Sequence, residues 1–292
     1  MSRSPSKPLR LTTIDHDCDV AGLTYVYAVR SRRVGGVSIG VNLSPNSACN
    51  WKCIYCQVPG LVRGQSPRID LDRLETELED VLGRGARGEL VASGASAGDG
   101  DAAMKDVAFS GNGEPTTSPD FPGAVERVGR VLSRMSLALP VILITNGTMV
   151  GRKPVQAGIR RLAALGGEVW FKLDRATAAG ILEMNGTRVL PAHHLARLRT
   201  CAALCPTWVQ SCFVTRRGEP PSAEEVDAYV GALDALVREG VVLRGVLLYT
   251  LARPSEQPEG AELGALAAPW LEALAARLRA AGVAQVRISL QS

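Results

Sequence analysis

The sequence lacks any apolar run long enough to cross a bilayer, so it predicts no membrane-spanning helix and no membrane partner. Its first residues are polar and contain no apolar core, so they do not predict a signal peptide. We therefore expect a cytoplasmic protein. A large charge excess is also missing, since Lys and Arg number 33 and Asp and Glu number 29. The net charge of +4 does not by itself predict binding to nucleic acid.

The cysteines do not predict a disulfide framework. There are seven of them, an odd number, in a chain of 292 residues without an export signal. This predicts reduced thiols that are available to a metal. Hydrophobic residues make up 46% of the chain, which is enough for a sizeable core.

Short apolar runs alternate with amphipathic stretches along most of the chain. The runs suit strands of a parallel sheet that is buried on both faces, and the amphipathic stretches predict helices. This alternation indicates βαβ crossovers and an α/β fold. The predicted strands are Val37–Leu43, Val107–Gly111, Val141–Thr145, Val169–Leu173, Trp208–Val214, Val242–Thr250 and Val286–Leu290. The predicted helices are Asp70–Leu82, Val125–Met135, Ile159–Leu165, Glu224–Arg238 and Trp270–Ala281.

Six strands before the last one fit a partial (β/α)6 barrel, although a doubly wound sheet has much the same pattern. We divide the chain into an N-terminal extension, residues 1–36, and a barrel domain, residues 37–292. Within the barrel domain, residues 83–106 are small, polar and glycine-rich, which predicts a flexible surface insertion.

Three cysteines follow the first predicted strand with the spacing C-x3-C-x2-C, namely Cys49, Cys53 and Cys56. Thiolates are the ligands that iron–sulfur clusters prefer, and four is the usual number. Three thiolates would leave one iron of a four-iron cluster open to a small molecule. The alternative is a structural zinc site completed by Cys18 or His16, but no second cysteine pair is suitably placed for it.

Polar motifs follow the next three predicted strands. The motif Gly111, Asn112, Gly113 and Glu114 follows the second strand, Asn146 follows the third, and Lys172 and Asp174 end the fourth. Barrels and open α/β sheets place their sites at these carboxyl ends. Each motif also has a structural interpretation. Glu114 could orient backbone, Asn146 could form an Asn-Gly turn, and Lys172 and Asp174 could pair between strands.

Taken together, these motifs resemble those of radical S-adenosylmethionine enzymes, in a branch similar to the wyosine-base synthases of tRNA. The likeness runs from about residue 25 to residue 290. It implies that Cys49, Cys53 and Cys56 bind a [4Fe-4S] cluster whose open iron chelates S-adenosylmethionine. It further implies that S-adenosylmethionine contacts Tyr55, which lies between the second and third cysteines, and a set of strand-end residues, namely Gly111, Asn112, Gly113, Glu114, Asn146, Lys172 and Asp174.

The resemblance also implies the reaction. One electron from the cluster would cleave S-adenosylmethionine to a 5′-deoxyadenosyl radical, which abstracts hydrogen from a small-molecule or RNA substrate. A flavodoxin or ferredoxin would supply the electron. No residue is predicted to catalyse the substrate step. Two alternatives are a tRNA-modifying enzyme of wyosine type and a non-catalytic iron–sulfur protein that carries electrons or binds a partner.

Several further residues permit two interpretations. Cys201, Cys205 and Cys212 could form an auxiliary cluster or a redox-active thiol, but buried cysteines also act as small hydrophobic residues. We expect His193 and His194 to be exposed or to cap a helix. Arg32, Arg33 and Arg253 are candidates for anion binding, with surface salt bridges as the alternative for the first two.

Overall fold

The computed structural model describes residues 9–11, 22–31, 35–92 and 103–290. Its main element is a curled sheet of eight strands that form one continuous row. In chain order the strands are β1 Val26–Ser31, β2 Gly36–Val41, β3 Met104–Phe109, β4 Val141–Thr145, β5 Glu168–Lys172, β6 Thr207–Cys212, β7 Gly245–Tyr249 and β8 Val286–Ser289. They are neighbours in that same order, from β1 at one edge to β8 at the other. Strands β2 to β8 are all parallel, and β1 alone pairs antiparallel, with β2.

Helices connect the parallel strands. They are α1 Leu71–Ala86, α2 Phe121–Arg134, α3 Lys153–Ala164, α4 Ala178–Asn185, α5 Pro191–Leu204, α6 Ala223–Arg238 and α7 Ala268–Ala280. Two of them, α4 and α5, lie between β5 and β6. No helix in the described part of the chain has both the length and the apolar character needed to cross a membrane.

The two faces of the sheet bury different residues. One face packs against the helices in the main core, to which β3 contributes Val107 and Phe109. Residues that alternate with these face the inside of the curled sheet, because successive side chains of a strand point to opposite faces. On the inner face Ala108 packs with Ile142, Trp170 and Trp208 in a separate apolar cluster.

The predicted α/β fold, a partial (β/α)6 barrel with a mainly parallel sheet, is confirmed. All seven predicted strands and all five predicted helices are present with shifted ends. Two helices, α5 and α4, are not among those predicted, and α4 is the shorter of the two. Its first turn is capped by Thr177, whose Oγ1 accepts from the Gly180 N–H at 2.9 Å, and it ends at Gly186 in the left-handed conformation, at φ 60°.

Other predictions fall partly or wholly outside the described residues. The predicted insertion, residues 83–106, includes the undescribed residues 93–102, and the end of α1 and the strand Leu90–Ala92 occupy part of the remainder. Cys18, His16, Arg32 and Arg33 also lie outside the described residues. The boundary at residue 36 stays a prediction, and β1 on its N-terminal side joins the main sheet.

Candidate functional site

The cysteine loop, residues 42–66, follows β2 at the carboxyl end of the parallel strands. Within it, the short strand Ala48–Cys49 pairs in parallel with Val62–Arg63, which closes the loop on itself. The backbone N–H of Trp51 lies 3.5 Å from the sulfur of Cys49 and donates to it. The three cysteine side chains are only partly exposed.

The three thiols lie close enough to influence one another. The pKa of Cys49 is raised to about 12, chiefly by burial and to a smaller extent by Cys53 and Cys56. Burial likewise raises the pKa of Cys53 to about 12, with contributions from Asp174 and Cys56. Loss of the proton from these thiols is unfavourable, because burial and the charge of neighbouring thiolates destabilise each thiolate. A metal that replaces the protons removes that penalty.

This donor set fits a cluster that uses one thiolate for each of three irons. Within the described ranges, no three His, Cys, Asp or Glu side chains are grouped as ligands of a single metal ion. Thiolates that bind separate irons need not converge on one point. The chemistry of the donors therefore matches the predicted cluster.

Helix α4 holds one side of the cysteine loop. The N–H groups of Lys52 and Ile54 donate at 3.0 Å to the carbonyls of Asn185 and Met184. In addition, the side-chain amide of Asn185 donates to the Cys53 sulfur at 3.4 Å. Asn185 is almost fully buried, at 1% exposure. Sequence reasoning missed it, because no local pattern marks a residue whose partner lies 132 positions away.

The segment after β7 holds the other side of the loop. The Ser255 hydroxyl donates to the carbonyl of Ile54 at 2.7 Å and to that of Cys56 at 3.0 Å. The Gln257 side chain donates to the Val58 carbonyl at 3.1 Å. Near them, the carbonyl of Arg253 accepts from the Gln57 side chain at 3.2 Å, while anion binding by Arg253 stays a prediction.

The glycine motif, residues 111–114, packs directly against the start of the cysteine loop. A Cβ atom at Gly113 would lie 2.1 Å from the carbonyl oxygen of Ala48, and Gly111 adopts φ 127°. The Asn42 side chain joins the two segments, because its Oδ1 accepts from the N–H of Asn112 at 3.2 Å and from that of Ser44 at 2.9 Å. The motif therefore needs glycine for this close approach.

Glu114 and Asn146 join neighbouring strand ends. The buried Glu114 carboxylate accepts from the N–H of Thr116 at 3.1 Å, the Thr145 hydroxyl at 2.6 Å and the Asn146 N–H at 2.7 Å. Burial raises the pKa of Glu114, and these hydrogen bonds oppose the rise. The Asn146 side chain donates to Asn50 of the cysteine loop at 2.8 Å. These contacts match the structural interpretation of Glu114, while its contact with a cofactor stays a prediction.

Tyr55, Lys172 and Asp174 meet under the cysteine loop. The Tyr55 hydroxyl donates to Asp174 at 2.6 Å, and Asp174 also accepts from Asn185 at 2.7 Å and from the Cys212 N–H at 2.8 Å. The Lys172 ammonium donates to the Tyr249 hydroxyl at 2.8 Å and lies 4.9 Å from the Tyr55 ring centroid. Burial alone would lower the pKa of Lys172, but Tyr249 and Asp174 outweigh it and raise the pKa, so this side chain is cationic.

The remaining cysteines do not share one environment. Cys201 and Cys205 lie in the main core, and the Cys205 thiol donates to the Gly167 carbonyl at 3.4 Å. Cys212 lies in a second apolar cluster with Ile54 and Tyr55. Burial raises the pKa of all three, so they are thiols at neutral pH.

The two histidines also differ. His193 is exposed as predicted, but the prediction is wrong for His194, which is 1% exposed. The His194 ring lies 4.8 Å from the Phe171 ring and 5.3 Å from that of Trp51, between centroids, because α5 turns it towards the sheet.

Solved structures that share this fold include a radical SAM enzyme and TYW1. A radical SAM methyltransferase from Sphaerobacter thermophilus superposes with a TM-score of 0.61 and 15% identity, over 91% of this chain and 69% of that one. A structure of TYW1 with a lysine-pyruvate adduct bound gives a TM-score of 0.54 and 15% identity, over 83% of this chain and 73% of that one. The resemblance to radical S-adenosylmethionine enzymes is thus confirmed at the level of the fold.

The sequence comparisons add no family. No family model matches the chain. A curated protein, the GTPase Obg of Brachyspira hyodysenteriae, is 22% identical over 134 residues, which cover 45% of this chain and 16% of that protein. The chain contains no G-x4-G-K-[ST] phosphate-binding loop, so this likeness carries no nucleotide site.

Proposed function

We propose that this protein is a radical S-adenosylmethionine enzyme whose Cys49, Cys53 and Cys56 hold a [4Fe-4S] cluster. The observation that carries the proposal is that the loop with the three partly exposed thiols is hydrogen-bonded to the glycine motif. Asn42, which hydrogen-bonds Ser44 and Asn112, makes that connection. A structural metal loop would not need a glycine-rich strand end packed against it.

The cluster would supply the electron that cleaves S-adenosylmethionine to a 5′-deoxyadenosyl radical. The residues of the chain bind and orient the cofactor around it. Gly111 and Asn112 present backbone groups at the strand ends, and Lys172 presents a cation. Tyr55, which the resemblance places beside the adenine, is fixed by its hydrogen bond to Asp174.

Not every predicted contact is equally free to reach the cofactor. The carboxylates of Glu114 and Asp174 each accept from three or more protein donors, so their hydrogen-bonding capacity is largely used. We propose that both act chiefly as positioning residues. The side-chain carbonyl of Asn146 also accepts within the protein, from the Thr148 N–H at 3.0 Å.

The site also limits access of water to the reaction. Ile54, Tyr55 and Leu251 pack around Cys212 beneath the loop. The inner apolar cluster that contains Trp170 and Trp208 lies lower in the barrel. Exclusion of water protects a reactive radical from side reactions.

Anaerobic reconstitution of the protein with iron and sulfide tests this function. We expect about four irons per chain, the number in the cluster proposed above. With dithionite and S-adenosylmethionine, we expect 5′-deoxyadenosine and methionine, and the Cys53→Ala variant should form neither. A protein that binds only zinc, or a reduced cluster whose spectrum does not change with S-adenosylmethionine, would contradict the proposal. The second result would favour a non-catalytic iron–sulfur protein.

A further inference from the structure

Three exposed cations surround the point where the cysteine loop meets α4. The backbone of Lys52 packs against Gly186. A Cβ atom added at Gly186 would lie only 2.6 Å from the Lys52 carbonyl oxygen. The Arg63 guanidinium donates to the Gly186 carbonyl. Arg188 follows two residues later in the chain and is also exposed. We call Lys52, Arg63 and Arg188 the loop cations.

The loop cations are not neutralised by neighbouring acids. Within the described ranges, none of the three forms an ion pair with a carboxylate. Glu183, on the adjoining turn of α4, is already paired with Arg216 at 2.6 Å. This part of the surface is therefore positive although the whole chain is only mildly basic.

Apolar side chains accompany the loop cations. Val62 is 53% exposed next to Arg63, and Leu182 is 48% exposed one turn before Gly186 on α4. Few large hydrophobic residues are this exposed in the described structure. Protein-binding surfaces commonly combine exposed apolar side chains with charged ones.

We infer that the loop cations, with Val62 and Leu182, form the docking surface for a small acidic protein that carries one electron at a time. The inference rests on the proposed function, because it needs a cluster to reduce. The reduced carrier loses one electron, the cluster gains it, and no proton is transferred. Charge complementarity favours an acidic partner and speeds its association.

The position of this surface suits electron entry. Lys52 lies between Cys49 and Cys53 in the sequence, and its backbone is bound to Asn185, whose side chain contacts the Cys53 sulfur. Tyr55 lies on the opposite side of the loop, buried under it towards the barrel. An electron would thus enter from the outer side while the substrate radical forms on the inner side.

The test compares two reductants on the reconstituted full-length protein. The Lys52→Glu, Arg188→Glu double variant is measured for 5′-deoxyadenosine formation with dithionite and with a reduced acidic [2Fe-2S] ferredoxin. The matched control is Arg160→Glu, Arg161→Glu, which makes the same charge change on exposed residues of α3. A Leu182→Ser variant tests the apolar part of the surface.

We expect the loop double variant to lose about tenfold or more in kcat/KM for ferredoxin at low salt, with activity on dithionite unchanged. The loss should shrink as salt rises. Equal ferredoxin kinetics in the wild type and both double variants would overturn the docking surface. The docking surface would also be overturned if the loop double variant lost salt-sensitive binding of tRNA while its kinetics with ferredoxin stayed unchanged. Absence of 5′-deoxyadenosine with dithionite in the wild type would instead overturn the proposed function.

Discussion

The Asn185 side-chain amide donates to two partners, the Cys53 sulfur at 3.4 Å and the Asp174 carboxylate at 2.7 Å. One buried side chain thereby connects a predicted metal ligand to a carboxylate that also binds Tyr55. Hydrogen bonds to ligand sulfurs raise the reduction potential of an iron–sulfur cluster, and residues of this kind orient its ligands.

We predict that Asn185→Leu makes the midpoint potential of the reconstituted cluster more negative. A thiolate without its donor stabilises the additional electron less well. We also expect iron to be lost to a chelator about tenfold faster. Redox titration followed by electron paramagnetic resonance measures the first effect. Gln156→Leu, a change on α3 away from the site, is the control. An unchanged potential in Asn185→Leu would show that the contact is only structural.

Replacing Glu114 should destabilise the protein strongly. Glu114→Ala leaves buried donors of Thr145 and Asn146 without an acceptor, at an expected cost of at least about 3 kcal/mol in unfolding free energy. Glu114→Gln keeps the shape and should cost less. Urea unfolding measures both. Glu126→Ala, on the exposed face of α2, should change stability by about 0.5 kcal/mol or less. A similar small change for Glu114→Ala would contradict the central role of this carboxylate.

We predict that Gly113→Ala lowers iron incorporation. The added Cβ would lie 2.1 Å from the Ala48 carbonyl oxygen, so the start of the cysteine loop must move. Gly151→Ala is the matched control, because a Cβ there meets nothing within 4 Å. Iron content after anaerobic reconstitution gives the readout. If both variants load iron equally, the packing of the motif against the loop does not control its shape.

His194 should make stability depend on pH in the acid range. Burial lowers its pKa from 6.5 to about 4, although the hydrogen bond with the Lys172 carbonyl opposes this. As pH falls below about 6.5 the unfolded chain binds a proton that the folded protein does not, so stability is lost down to about pH 4. The loss amounts to about 3 kcal/mol at most.

Chemical unfolding of the wild type and of His194→Phe tests this prediction. The measurements should span the interval from pH 6.5 to about 4 in which the loss is expected. The difference in unfolding free energy between the two proteins should shift in favour of the variant as pH falls. The exposed His193→Gln serves as the control and should follow the wild type. Parallel curves for all three proteins would contradict a buried, neutral His194.

Local patterns were sufficient for the seven parallel strands of the sheet and for five of the seven described helices. The run Val141–Thr145 is a strand because its apolar residues are buried on both sides, which is what an unbroken hydrophobic run encodes. The cysteine spacing and the strand-end motifs likewise placed the candidate residues at one end of the sheet. Helix α4 was not predictable in this way, since it has only a weak apolar stripe and takes its place from contacts with the loop.

The supports of the site were also hidden from sequence reasoning. Asn185 and Ser255 act through polar atoms whose partners lie 132 and about 200 positions earlier. No periodicity records such contacts. His194 follows the exposed His193 directly, and only the packing of α5 on the sheet separates their environments.

These distant supports bear on how the protein is made. The cysteine loop emerges early in synthesis, but its two sides are fastened by α4 and by Ser255 and Gln257. A nascent chain that has not yet exposed those residues cannot give the loop its final shape. Delivery of iron and sulfide should therefore be productive only after α4 and residues 255–257 have left the ribosome.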